Sequence, residues 1–396
     1  MNLSTRAQNI EPSATLKAST KAKQLQAQGK DILSLTVGEP DFATPETIQN
    51  AAIEVIKNGK ASYYTATAGI PELRQAIVEY LEKFYHVTYT PSQTIVTDGA
   101  KYALYLVFQA ILDEGDEVII PTPYWVSYSE QIKLAQGRSV FVETTSAQNF
   151  QVMVEQLEAA RTPRTKAILL NSPSNPTGMI YSKLQLKEIG EWAVAHDILI
   201  IADDIYGRLV YGEETFTPIV SLSEKIKEQT IIINGVSKTY AMTGWRIGFA
   251  VGNQTIINAM IDIASQATSN PTAVSQYAAV EALVGDQTKV EEMRQAFEIR
   301  RNTMFEALQE IPGFDVLLPA GAFYFFPNVQ QTLELCGYTD VDDFVDDLLY
   351  EANVAVVTGK AFGAAQHIRL SYAADQQTLD EAVARIKKFV EKKQKK

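Results

Sequence analysis

Lys238 directly follows an aliphatic run, TIIIN, in the stretch GVSKTYAMTGWRIGF, eight positions before Arg246. A lysine among small and apolar neighbours is suited to act as a nucleophile, because burial disfavours the ammonium and frees the amine. The plain alternative is a surface lysine that snorkels to water. Asp203 and Asp204 end another aliphatic run, ILIIA, and Tyr206 follows them. Adjacent carboxyls at a buried strand end are costly unless a cation or donor meets them, so one is expected to contact a ligand. Helix capping is the other use, for the second. Asn175 lies within NSPSNPTG, after KAILL, where its amide either closes a local turn or faces a ligand. Gly99, Ala100 and Lys101 follow QTIVTD and open a helix whose free amides and positive end suit a phosphate. A glycine there also serves as a simple turn. After DEVIIP, Tyr124 and Trp125 offer a flat ring for stacking, or a half-buried anchor.

For these residues to meet, the runs before them must be strands whose carboxyl ends share one edge, where open α/β sheets bind ligands. The order supports this: QTIVTD then AKYALYLVFQAIL, DEVIIP, KAILLN then SKLQLKEIGEWAVAH, DILIIADD, and QTIIINGVSK. Alternating strand and helix patterns predict an α/β fold with a mostly parallel sheet, and the near-continuous apolar strands predict helices on both faces. A long charged helical pattern, VEEMRQAFEIRRNTMFEALQEI, then leads to shorter strands around GAFYFFP, VAVVTG and HIRLSYA. The expected division is a large domain over 46–285 and a smaller α+β domain from 1–45 and 286–396. The lysine-rich end, KKFVEKKQKK, reads as a solvated, fraying helix turn.

The chain has 396 residues, 46% of them hydrophobic and 21% charged, with a formal charge of -12, which fits a globular protein and disfavours nucleic-acid and anionic-membrane partners. No run approaches the about 18 apolar residues needed to span a bilayer, and the start has no signal-like apolar region. The single cysteine, Cys336, fits a reducing, cytoplasmic setting and reads as a bland thiol. His86, His196 and His367 lack metal-ligand spacing, so no metal is expected.

One ligand would account for the whole set: a phosphate for the helix start, Ser237 and Arg246, a planar ring for an aromatic lid, a ring nitrogen for an aspartate, and a carbonyl for Lys238. Those are the requirements of pyridoxal 5'-phosphate. With SNPTG, ADDIY and GVSKTYAMTGWRIGF in this order, and VGEPDFATP, YYTATAGIPELR and HIRLSYA around them, the sequence resembles the class I and II aminotransferases of fold type I. The resemblance runs nearly end to end. It implies a large domain with helices on both faces of its sheet plus a smaller α+β domain. It implies that Lys238 holds the cofactor as a Schiff base and then moves the substrate's proton, and that Asp203 pairs with the ring nitrogen. Asn175 and Tyr206 would hydrogen-bond the ring's phenolic oxygen, and Trp125, or Tyr124 beside it, would stack on the ring. Gly99, Ala100, Lys101, Ser237 and Arg246 would surround the phosphate. Gly235, a phosphate-binding serine in some members, leaves that hydroxyl duty to Ser237. Arg369 would clamp the substrate α-carboxylate, with Gly38 close by, where the residues alone read as a solvated edge-strand arginine. Tyr64, or Tyr63 beside it, would reach the phosphate of a neighbouring subunit, implying a homodimer with shared sites.

The implied reaction is a ping-pong transfer of nitrogen between an L-amino acid and a 2-oxo acid. The segment SQATSNPTAVSQYAA holds no arginine to meet a distal carboxylate. In the shorter bacterial aspartate aminotransferases, which the chain most resembles, a lysine at the position of Lys101 does so, with Thr15 nearby. Aspartate with 2-oxoglutarate is therefore expected. If Lys101 is merely solvated, an aromatic or alanine-type donor is the alternative. A β- or C–S lyase uses the same scaffold, and a transcription regulator would need a DNA-binding module that this chain does not show.

Overall fold

The computed structural model describes residues 2–394. Seven strands form the main sheet: β1 (Thr94–Thr97), β2 (Glu117–Thr122), β3 (Arg138–Glu143), β4 (Thr165–Asn171), β5 (Leu199–Asp203), β6 (Thr230–Gly235) and β7 (Gly248–Val251). Their order is β1-β7-β6-β5-β4-β2-β3. β7 runs antiparallel to both its neighbours, and every other pair is parallel. The aliphatic runs explain this placement. In β5 and β6, Ile200 and Ile232 face one core with Leu73, Ile77 and Leu186, while Ile201, Ile231 and Ile233 face another with Ala103, Leu104 and Phe108. Both faces are thus dry, and each fully buried isoleucine contributes about 2 kcal/mol. The chain has the α/β class expected of it.

Two strands escaped the sequence reading. RSVFVE forms the sheet edge, where half-exposed residues dilute its apolar signal, and GFAV is too short to stand out from the loop before it. Three helices matter for the site: α1 (Ala14–Ala27), α2 (Ala100–Ile111) and α3 (Ser127–Leu134).

The later strands build a separate core around Phe323, Phe325, Leu370 and Tyr372. Ile368–Ser371 lies in the middle of a three-stranded sheet, antiparallel to Val357–Thr358 on one side and Tyr324–Phe325 on the other. The VAVVTG run is not one strand. It splits into Val354–Ala355, which pairs in parallel with Leu33–Ser34, and Val357–Thr358. The final helix runs Gln376–Gln394 and is tied down at its end, because Lys393 bridges Asp347 and Glu351 at 2.9 Å each. That corrects the expectation of a frayed, solvated turn, although Lys395 and Lys396 lie outside the described residues.

Candidate active site

The carboxyl ends of β4, β5 and β6 open into a cavity of about 470 Å³, within the usual range for small-molecule sites. Lys238, just past β6, projects into it, and its Nζ donates to the Gly38 carbonyl at 2.5 Å. Burial pushes this amine down to about 8, with Arg246 and Arg369 adding to the effect and Glu39 and Asp203 opposing it. Desolvation outweighs the two carboxylates, so this amine gives up its proton more readily than a lysine that snorkels to water.

Asp203 ends β5, buried, in the same cavity. Burial pushes its carboxyl up to about 6, while the Tyr128 hydroxyl, the Ile205 amide and the Lys238 ammonium pull it back down. Tyr128, on α3, donates to Asp203 Oδ2 at 2.6 Å. Such a carboxyl is held for a cationic partner, which would favour its ionised form. No helix follows it, so Asp204 is no helix cap. Asp204 is buried against the Tyr85 hydroxyl, and burial keeps its carboxyl well above the usual range.

Arg369 is 2% exposed, at the centre of its small sheet, and not the solvated edge arginine that its residue type alone suggests. Its guanidinium donates to Asn175 Oδ1 at 3.0 Å and to the Thr36 carbonyl at 2.8 Å. It also packs 4.5 Å from the Tyr324 ring centroid. Its Nε has no hydrogen-bond partner among the described residues. A buried cation with donor capacity to spare, lining a cavity, is suited to meet an anion. Asn175 is placed by Asn171 at the end of β4, whose Oδ1 accepts from the Asn175 amide at 2.8 Å and whose Nδ2 donates to the Asp203 carbonyl at 2.8 Å.

A second group of donors surrounds the start of α2. Gly99 caps this helix at φ 89°, and a side chain there would press into the Arg246 guanidinium. Arg246 is held by the carbonyls of Thr243 and Asp98 at 3.0 and 3.2 Å. With Ala100 and Ser237 it lines the cavity beside the free helix amides. Gly235 lies within β6, paired with Gly248, and is not among the lining residues. Of Tyr124 and Trp125, it is Trp125 that lines the cavity, and the Lys101 ammonium sits 4.8 Å from its ring centroid. Tyr124 stacks on Phe141 and lines a different, smaller pocket. Burial, then Arg246, holds the Lys101 ammonium below its ordinary range.

The model for aminotransferase class I and II matches residues 30–386. The chain belongs to this family. It is 57% identical to the asparagine–oxo-acid transaminase of Streptococcus mutans, over 98% of this chain and 99% of that one. It is 51% identical to the aspartate aminotransferase of Bacillus subtilis, over 99% and 100%. Among solved structures, the Thermus thermophilus aspartate aminotransferase with maleate superposes with a TM-score of 0.93 at 42% identity, covering 98% of this chain and 99% of that one. The aspartate aminotransferase of Rhizobium meliloti superposes at 0.94, with 39% identity and 99% coverage of both.

Of the residues singled out from the sequence, the aminotransferase brings Thr15, Gly38, Ala100, Lys101, Trp125, Asn175, Asp203, Tyr206, Ser237, Lys238, Arg246 and Arg369 around one cavity. Gly99 lies just behind it against Arg246. Tyr64 stands apart, 91% exposed, as does Tyr63 at 77%. Sequence reasoning missed Tyr128, Asn171, Tyr324 and the α1 residues Leu16, Ser19 and Lys23, all of which line the cavity. Asn171 had a readable signal as the first residue of NSPSNPTG. Thr15, Ser19 and Lys23 had one too, since their spacing of four puts them on one helix stripe.

Proposed function

We propose that this aminotransferase uses pyridoxal 5'-phosphate to move nitrogen between L-aspartate and 2-oxoglutarate. The observation that carries the reading is a half-buried amine, Lys238, sharing one cavity with a buried acid, Asp203, and a buried arginine, Arg369. The residues fit the cofactor: Arg246, Ser237 and the start of α2 for its phosphate, Trp125 over its ring, Asp203 for its ring nitrogen, and Asn175 and Tyr206 for its phenolic oxygen. When bound, it supplies an electron sink for the bond broken at the substrate α-carbon. Lys238 would attach the cofactor and serve as the general base that takes up and returns the proton of the substrate α-carbon. Asp203 would hold the ring nitrogen in its protonated form. Arg369, with Gly38 and Asn175 beside it, binds the α-carboxylate, and Trp125 and neighbouring apolar surface exclude water. Asp203→Asn, equal in shape but uncharged, is expected to lower kcat by at least about a hundredfold, as steady-state assays with saturating cofactor would show.

Lys101 and Thr15 support aspartate as donor, since both line the cavity and a cation and a hydroxyl suit a distal carboxylate. Thr15 is itself hydrogen-bonded to Ser13 at 2.9 Å. The related Thermus structure was solved with maleate, a four-carbon dicarboxylate. Lys101→Ser is expected to cut kcat/KM for aspartate about 10- to 100-fold, the worth of one charge-assisted hydrogen bond. Alanine, lacking the carboxylate, should change little in the same assay. The broader test loads the protein with cofactor and follows its visible band during separate titrations with aspartate, asparagine, phenylalanine and alanine. Bleaching by aspartate at the lowest concentration supports the reading. Equal response to phenylalanine overturns the substrate, and ammonia release without an oxo acid overturns the reaction.

The reading includes a cofactor-binding lobe over 46–285, a second lobe from 1–45 and 286–396, a cytoplasmic location and a homodimer. Exposed Tyr63 and Tyr64 stand near Ile53 and Ile56 in sequence, at 46% and 60% exposure, and these apolar side chains suit burial by a second copy. Tyr64 would then reach the partner's phosphate site.

A further inference from the structure

Tyr324 has no assigned role, yet it touches three separate parts of the site. Its hydroxyl lies 2.9 Å from the Tyr206 hydroxyl. Its ring centroid lies 4.5 Å from the Arg369 guanidinium carbon. A side chain on Gly38, whose carbonyl accepts from Lys238, would come within 2.9 Å of the same hydroxyl. Tyr324 is fully buried, and its strand is fixed by pairing of Leu370 with Phe325 and Ser371 with Tyr324, the two residues that directly follow Arg369.

A hydroxyl has one proton to give. If Tyr206 spends its proton on a ligand oxygen in the cavity, it must act as acceptor toward Tyr324, and Tyr324 becomes the donor of the pair. A chain of two hydroxyls polarised in one direction makes the terminal donor stronger. We propose that Tyr324 is a positioning residue that fixes Tyr206 as a donor to the cofactor's phenolic oxygen, and thereby sets the pH at which the bound cofactor changes its protonation. This rests on the cofactor reading above. The charged and titratable groups facing the pair are Arg369 and Tyr372 from the small sheet, Asp203 from β5 and Tyr128 from α3. Those facing Lys238 are Glu39, Arg246, Arg369 and Asp203. All remain in place when the Tyr324 hydroxyl alone is removed.

Tyr324→Phe keeps the ring over Arg369 and deletes only the hydroxyl. Without its donor, Tyr206 stabilises a negative phenolic oxygen less well, so the proton shared with the linked amine should be held more tightly. The holoenzyme's visible band, titrated from pH 5 to 10, is expected to show its midpoint raised by about half to one unit. Tyr206→Phe should raise it at least as far, and adding Tyr324→Phe to that variant should shift it little further, because the chain is already broken. KM for the amino acid should stay within about threefold in Tyr324→Phe, since the contact with Arg369 survives. An unmoved midpoint in Tyr324→Phe, or full additivity in the double variant, would overturn the proposal while leaving the cofactor reading intact. A wild-type protein that binds the cofactor with no visible band would sink that reading and this inference with it.

Discussion

Lys238→Ala is expected to reduce turnover by at least about a thousandfold, because one substitution removes both the covalent attachment point and the general base. Borohydride treatment of the cofactor-loaded wild type should leave a mass addition on the peptide containing Lys238, and none on the alanine variant. The amine's low proton affinity gives an independent check. Burial pushes it down to about 8 from the ordinary 10.5, so between those values the unfolded chain carries a proton that the folded chain has released. Lys238 therefore makes the cofactor-free protein gain stability as pH rises through that window. Denaturant melts of cofactor-free wild type and Lys238→Met across pH 8 to 10.5 would reveal this as a steeper rise in the wild type. A variant that turned over normally would remove the basis for every other role assigned to the cavity.

Arg369→Lys is expected to lower kcat/KM for every amino donor by about a hundredfold or more, without the donor selectivity expected of Lys101→Ser. A lysine keeps the charge but loses the planar fork, and with it the bonds to Asn175 and Thr36 that hold the group in place. The loss should be common to aspartate and alanine, because both present the same α-carboxylate. It should also exceed any change in melting temperature, since the replacement remains cationic and has its own apolar stem. Steady-state kinetics with the two donors, beside a thermal melt, separates the outcomes. A defect confined to aspartate would move Arg369 from the α-carboxylate to the distal one.

Much of this site was legible in the sequence because its key groups sit at the ends of aliphatic runs. Asp203 and Lys238 each follow a strand that only a doubly covered sheet accommodates, so strand assignment and site assignment were the same inference. Arg369 was different. Nothing local in HIRLSYA marks it as buried, and its cavity position depends on a sheet whose three strands come from distant parts of the chain. Only the family resemblance singled it out. Tyr128 and Tyr324 were unreadable for a related reason: a tyrosine in an apolar helix or strand looks like core, and its hydroxyl acquires a use only when a partner from another element arrives 2.6 or 2.9 Å away. β3 and β7 were missed because an edge strand and a four-residue strand carry little periodic signal.

The α1 stripe of Thr15, Leu16, Ser19 and Lys23 forms one wall of the cavity, yet it belongs to the first two dozen residues and carries none of the groups assigned to the bond-making steps. On the proposed reading, in which Thr15 meets the distal carboxylate of the donor, donor preference would be altered by editing this segment while the residues assigned to the bond-making steps stay in place.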